Sequence, residues 1–313
     1  TVFVAGAVLR GPVGAVVGYG IYSMMNTPVD AIPDLSENQV IIWTEWQGRS
    51  PQIIEDQITY PLTTSLQGMP KVKAVRSQSM FGMSFIYVIF EDKADIYWAR
   101  TRVLEKLAQV QSTLPAGVNP VIGPDGTGVG HVYWYHLMSD KYDLGELRAI
   151  QDYYLKLGLQ SVEGVAEVAS VGGFIKQYQI DVDPNRLSAY GLGVNEIVMA
   201  VQRSNKDVGG RNIESSDIEY FVRGKGYITD VSDIEDITLK TVSNGNPVRI
   251  KDVATVQIGG DIRRGMLDFN GEGEVVGGII VMRYGENAQT VIDRVKERLT
   301  ELEKGLPDGI EVM

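Results

Sequence analysis

From residue 39 onward the chain switches between two hydrophobic periods, and the switching predicts its elements. Gln39–Trp46 is rich in β-branched and aromatic residues and reads as a strand. Ser50 and Pro51 then open a helix, the first as N-cap and the second in the first turn, with Ile54, Ile58, Leu62 and Leu66 on one face. Gly68 and Pro70 end it. Val72–Ser77 and Phe85–Phe90 predict two strands around a loop over Gln78–Met83. A second helix is expected over Asp95–Leu114, with Trp98, Val103, Leu107 and Val110 at helical spacing, until Pro115-Ala116-Gly117 stops it. This is strand–helix–strand twice over, the plan of a ferredoxin-like α+β sandwich.

The same plan recurs with its halves apart. Val132–Leu137, Leu144–Leu159 and Val165–Val171 read as strand, helix and strand, and Glu274–Arg283 with Ala288–Leu302 adds a strand and a helix. Leu306-Pro307-Asp308-Gly309-Ile310 echoes Leu114-Pro115-Ala116-Gly117-Val118 after the corresponding helix. Between the halves, roughly Gln177–Ile262, lie further expected elements. They are a strand Tyr178–Val182, helices Pro184–Tyr190 and Val194–Ser204, and strands Glu219–Arg223, Ile237–Lys240 and Val253–Ile258, with a turn at Asn244–Pro247. An insertion of that length with its own elements is a domain. The divisions are therefore 1–25, 26–122, 123–176 with 263–313, and 177–262.

Thr1–Met25 is different in kind. Ala, Val, Gly, Met and Tyr dominate it and Arg10 is its one charge, so it reads as a truncated membrane helix, interrupted at Arg10 and Pro12. No charged leader or small-residue cleavage site marks it as a signal peptide. Pro28 and Pro33 then force an extended lead-in to the first strand.

Charge and composition exclude more than they assign. With 29 basic and 40 acidic side chains the net charge is -11, which argues against nucleic acid as a partner. There is no cysteine, so disulfides, zinc fingers and thiolate metal sites are ruled out within this sequence. His131 and His136 are its only histidines, too few for a histidine-rich metal site.

Enzyme signatures fail. Gly123-Pro124-Asp125-Gly126-Thr127-Gly128-Val129-Gly130 lacks the Lys-Ser/Thr of a phosphate-binding loop, and reads better as a flexible crossover between the repeats. No Gly-x-Ser-x-Gly elbow is present. Met80 and Met83, three residues apart, are the candidates for soft-metal contact, because thioether sulfur favours Cu(I) and Ag(I). Against that stands methionine's ordinary use as an apolar gap-filler. Asp95 sits where a helix N-cap belongs, which explains its carboxylate without a metal.

Several runs, in order, carry a resemblance: Asn26–Ser36, Tyr60–Thr64, Tyr87–Asp92, Tyr97–Arg100, Gly123–Gly130, Val165–Gly173, Val253–Gly259 and Arg263–Gly265. Together they resemble the heavy-metal efflux pumps of the RND family, CusA/CzcA type, nearer the copper/silver branch than the zinc/cobalt/cadmium one. The resemblance implies the N-terminal periplasmic segment of an inner-membrane transporter subunit in bacteria. Residues 1–25 would then end the first transmembrane helix. The two repeats would be porter subdomains, the second split by a docking subdomain over 177–262.

The helix over Asp95–Leu114 would line a central pore with Trp98, Arg100, Arg102 and Glu105, and Arg76 would stand near a periplasmic cleft where ions enter. The function implied is proton-driven efflux of heavy-metal cations, Cu(I) and Ag(I) favoured, from periplasm or cytoplasm. No permanent cofactor is implied; the metal ion is cargo. The implied partners are two further copies in a homotrimer, a periplasmic adaptor (membrane fusion) protein and an outer-membrane channel. The family's methionine triad and proton-relay acids are expected outside this chain. Copper-type relatives carry Met where this chain has Ile262. A drug-type RND exporter and a non-transporting periplasmic binding or assembly module are the alternatives.

Overall fold

The computed structural model describes residues 13–24, 27, 36–206, 208–215, 218–224, 226–242, 245–263 and 265–313. Residues 13–24 form a helix; the remainder of the expected membrane stretch 1–25, and the lead-in over 28–34, lie outside the described residues. Among the described residues no helix is long and apolar enough to cross a membrane.

The first repeat starts with β1 (Gln39–Glu45), whose alternating burial points Val40, Ile42 and Thr44 inward. Helix α1 follows, α-helical over Pro51–Ile54 and Tyr60–Gln67 with a π turn, Glu55–Thr59, between. Ser50 holds the N-cap position, but its side chain makes no capping bond, so Pro51 sets the start through its fixed φ. Strands β2 (Val72–Met80) and β3 (Met83–Phe90) form a hairpin that pairs Met80 with Met83. The expected loop over Gln78–Met83 is therefore mostly strand. Phe81 and Gly82 alone make the turn, which Gly82 permits at φ 72.

Helix α2 (Ile96–Val110) and a single 3₁₀ turn (Gln111–Thr113) fill the expected second helix, and β4 (Val121–Ile122) closes the unit. The sheet order β2-β3-β1-β4 is that of a ferredoxin-like fold. The predicted α1 face, Ile54, Ile58, Leu62 and Leu66, is wholly buried against Ile42, Ile86, Val88 and Phe90 of the sheet and Ala99, Val103 and Leu107 of α2. Each such side chain contributes about 1.5–3 kcal/mol. Trp98 and Val110 flank this core instead of filling it, and Ala99 takes the inner position.

The second repeat opens with β5 (Gly126–Met138), so most of the glycine-rich run expected as a crossover is strand. Helix α3 (Leu144–Ile150 and Lys156–Gln160) again carries a π turn, Gln151–Leu155, and β6 (Val165–Val171) follows. The chain then runs through β7 (Lys176–Val182), α4 (Pro184–Ala189), α5 (Val194–Ser204), β8 (Val208–Ser215) and β9 (Ile218–Gly224). After these come α6 (Val231–Glu235), β10 (Thr238–Thr241), β11 (Pro247–Arg249), α7 (Ile250–Val253), β12 (Ala254–Gly260) and β13 (Leu267–Phe269). The second repeat resumes with β14 (Gly273–Arg283), α8 (Ala288–Glu303) and β15 (Glu311–Val312). In its sheet β5 lies between β14 and β15, and β6 pairs with the other edge of β14. Both repeats therefore share one strand order.

Two compact units result. One holds the chain up to Lys141, Ile150–Val171 and Val275–Met313; the other holds Tyr142–Ala149 and Gly172–Glu274. The second unit has its own core, built from Leu187, Ile197, Ile234, Val248, Ile250, Val253 and Val256. In it β7 pairs antiparallel with β12, Val182 opposite Ala254.

Candidate functional site

Within the first unit a cleft of about 430 Å³ opens where the two repeats meet. From the first repeat come Glu37 just before β1, Asp92 just after β3, and Arg100 on α2; from the second come His131 on β5, Glu167 on β6, and Tyr284 just after β14. Asp125 lies on the segment that joins them. The lining thus carries four carboxylates and one guanidinium, and two of the carboxylates are paired from outside it, Glu37 with Arg76 and Lys73 and Asp125 with Arg283. Among the described residues, however, no group of three or more His, Cys, Asp or Glu is placed to hold a metal ion.

The segment 123–125 is held from both sides. Arg100 donates to the Gly123 carbonyl at 2.8 Å, and the Tyr97 hydroxyl donates to the Asp125 carboxylate at 3.1 Å. From the second repeat, Arg283 pairs with the same carboxylate at 3.6 Å, and the Tyr284 amide donates to the Asp125 carbonyl at 3.0 Å. Burial, then the bond to Asp125, raises the Tyr97 hydroxyl above its ordinary value of 10.0. The backbone passes closely at Gly126, where a Cβ would stand 2.6 Å from the Val281 side chain and 3.0 Å from the Met282 carbonyl.

The residues singled out from the sequence fall in three places. Arg76, on β2, pairs with Glu37 at 3.1 Å, with Lys73 at 3.9 Å on the other Glu37 oxygen, so it reaches the cleft only through that carboxylate. Met80 and Met83 lie directly opposite each other at the hairpin end, which puts both side chains on one face of the ribbon. Met80 is exposed and Met83 half-buried. On α2, Asp95 caps the helix by accepting from the Trp98 amide at 2.7 Å. Trp98 meets Phe90 edge-on at 6.4 Å and carries the Lys71 ammonium 4.7 Å from its ring centroid. Arg102 pairs with Glu105 one turn on, at 2.8 Å, an exposed contact of small worth. Arg100 alone of these α2 residues lines the cleft.

Sequence reasoning missed Asp125, Glu37, Glu167, Tyr97 and Arg283 as site residues. Asp125 was hidden in a glycine-rich run whose composition suggests a loose loop. Its one sequence signal is position, a single acid immediately before a long strand.

Residues 13–313 match the AcrB/AcrD/AcrF family. The chain is 52% identical over 297 residues to the putative cation efflux system protein SilA of Salmonella typhimurium, covering 94% of this chain and 28% of that protein. Identity, length and coverage are the same for the cation efflux system protein CusA of Escherichia coli (strain K12), at 52%, 297 residues, 94% and 28%. The cobalt-zinc-cadmium resistance protein CzcA of Cupriavidus metallidurans is 35% identical over 305 residues, 95% of this chain and 28% of its own. An X-ray crystal structure of a heavy metal efflux pump superposes with TM-score 0.85 at 32% identity, over 97% of this chain and 31% of that one. The chain thus spans well under half the length of the relatives it matches. Its split ferredoxin-like repeats and its likeness to these proteins over nearly all of its length agree, and the chain belongs to the AcrB/AcrD/AcrF family, RND proteins of the CusA/CzcA type.

Proposed function

We propose that this chain is the first porter and docking segment of a secondary transporter that exports heavy-metal cations against a proton flow. The observation that carries this reading is the 52% identity to two cation efflux proteins across 94% of the chain. The cleft between the repeats supports it, since its lining carries four carboxylates that a passing cation would meet. Cu(I) and Ag(I) are the favoured cargo. The porter subdomains are 26–122 and 123–176 with 263–313, and the docking subdomain is 177–262. The full subunit works in the inner membrane as a homotrimer with this segment in the periplasm, joined to an adaptor protein and an outer-membrane channel.

Within that assembly α2 lines the pore with Trp98, Arg100, Arg102 and Glu105, and of these Arg100 also borders the cleft. Arg76 and Glu37 stand at the rim. Met80 and Met83 offer a soft-metal contact, because two thioethers on one ribbon face suit a low-coordinate Cu(I) or Ag(I) ion. Growth of a strain lacking its own metal pump, with the complete gene restored, tests the whole reading on copper, silver, zinc and cobalt. Rescue on copper and silver, abolished when the proton gradient is collapsed, is expected; rescue on no metal overturns it. Replacing Met80 and Met83 by Leu should lower silver tolerance while leaving zinc tolerance unchanged, and equal tolerance on silver removes them from the path.

A further inference from the structure

We propose that Asp125 is a positioning residue, a tie through which movement of α2 is passed to the second repeat. Each repeat is pinned internally by a buried polar side chain at its π turn. Thr59 lies 2.8 Å from both Ser79 and Ser84 on β2 and β3, and Gln151 bonds Tyr135 on β5 at 2.9 Å and Ser170 on β6 at 3.3 Å. The joint between the repeats is of another kind: it borders a cleft of about 430 Å³ whose lining mixes Arg100, Asp125 and Glu167 with Ile41, Ile96 and Val281. A joint bordering an open cleft has room to move, whereas close-packed cores do not deform gradually.

At that joint Asp125 is the point where the two bodies meet through one carboxylate. Its side chain is 18% exposed, accepts from Tyr97 in the first turn of α2, and pairs with Arg283 at the end of β14. The carbonyls of the same short segment bind Arg100 on one side and the Tyr284 amide on the other. Tyr97 and Arg100 are one helical turn apart, so they grip the segment from the same face of α2. Shifting α2 thus pulls on residues 123–125 and, through them, on β14. A carboxylate shared by a phenol and a guanidinium resists that pull more than an amide would, because charge-assisted bonds are the stronger ones.

The consequence for export rests on the proposed function; the tie itself does not. The test compares the protein made from its full gene with Asp125→Asn, Tyr97→Phe and the exchanged pair Asp125→Arg with Arg283→Asp. Amide hydrogen exchange is followed around 97–101 and 283–286, with the amides of Tyr135 and Gln151 as internal controls for folding. Asp125→Asn should raise exchange at both ends of the joint about two- to fivefold with the controls unchanged, the size of effect expected for loss of one partly exposed ion pair. It should also slow metal export at equal protein abundance, and the exchanged pair should restore part of both.

Unchanged exchange at the joint overturns the tie. Faster exchange there with undiminished export overturns the positioning role. If the controls also exchange faster, Tyr97→Phe decides, since it removes one hydroxyl and no charge: loosening confined to the joint supports the tie, and no loosening overturns it. A wild-type protein that exports no metal refutes the transport reading, while the exchange result still judges the tie.

Discussion

The Tyr135 hydroxyl on β5 donates to the Gln151 side-chain oxygen on α3 at 2.9 Å, and both side chains are buried. Gln151 begins a π turn and stands one turn on from buried Leu147, so the inward face of the helix carries a polar side chain there. In the first repeat Thr59 ends a π turn and reaches Ser84 in the same manner. The two repeats thus share a device that fixes helix to sheet by direction as well as by packing.

Tyr135→Phe keeps the ring and removes the donor, leaving a buried amide oxygen without this bond. A loss of about 1–3 kcal/mol in denaturant unfolding is expected, and a similar loss for Gln151→Leu. The double variant should lose less than the two singles combined, because it leaves no stranded partner between them. Strictly additive losses would show that the two groups are not coupled. Gly278→Ala should cost about 1–3 kcal/mol by overpacking, since its Cβ would lie 2.4 Å from the Tyr135 ring.

His136, next to Tyr135 on β5, has its titration lowered by burial. Burial holds its imidazole below the ordinary 6.5, so the folded chain prefers the neutral ring. As pH falls below 6.5 the unfolded chain takes up a proton that the folded chain resists. The stability this residue supports is complete above 6.5 and is lost as pH falls toward the lowered folded value. His136→Asn should flatten the acid side of the stability–pH curve, measured by unfolding from pH 7 to 5, a range of about two pH units around the ordinary histidine value. A steeper acid loss in the variant would contradict the sign.

The α2 cap gives a second measure of stability. Asp95→Ala removes the acceptor for the Trp98 amide and should cost about 1 kcal/mol, with fraying confined to the first turn. Asp95→Asn keeps an acceptor and gives up only the charge at the helix start, about 0.3–1 kcal/mol. Equal losses in the two variants, read from thermal unfolding, would mean that the bond is worth nothing beyond the charge.

Arg76 separates fold from function. Its pairing with Glu37 is exposed at both ends, so Arg76→Ala should change stability by no more than about 1 kcal/mol. A marked fall in metal tolerance at unchanged melting temperature would then belong to the cleft rim. Loss of folded protein instead would make Arg76 a structural residue and remove it from the ion path.

By itself the sequence determined the local elements and their order. The helical recurrence of Ile54, Ile58, Leu62 and Leu66, the β-branched and aromatic run of β1, the cap at Asp95 and the breaks at Gly68 and Pro115 are each decided within a few residues, by backbone sterics and local side-chain shape. The echo of Leu114–Val118 in Leu306–Ile310 was enough to see a split repeat. Tertiary structure decided whatever depends on what lies opposite. Gln78–Met80 became strand because β3 was there to take its hydrogen bonds, and Gly126–Gly130 became strand because β14 was there to pair with β5. The buried hydroxyl of Thr59 and the buried amide of Gln151 find their partners on serine and tyrosine side chains brought up by other strands. The tie at Asp125 joins Tyr97 to Arg283, residues far apart along the chain. No periodicity records such a meeting, because a charged contact at a joint depends on where two folded bodies come together and leaves no repeat in the residues between them.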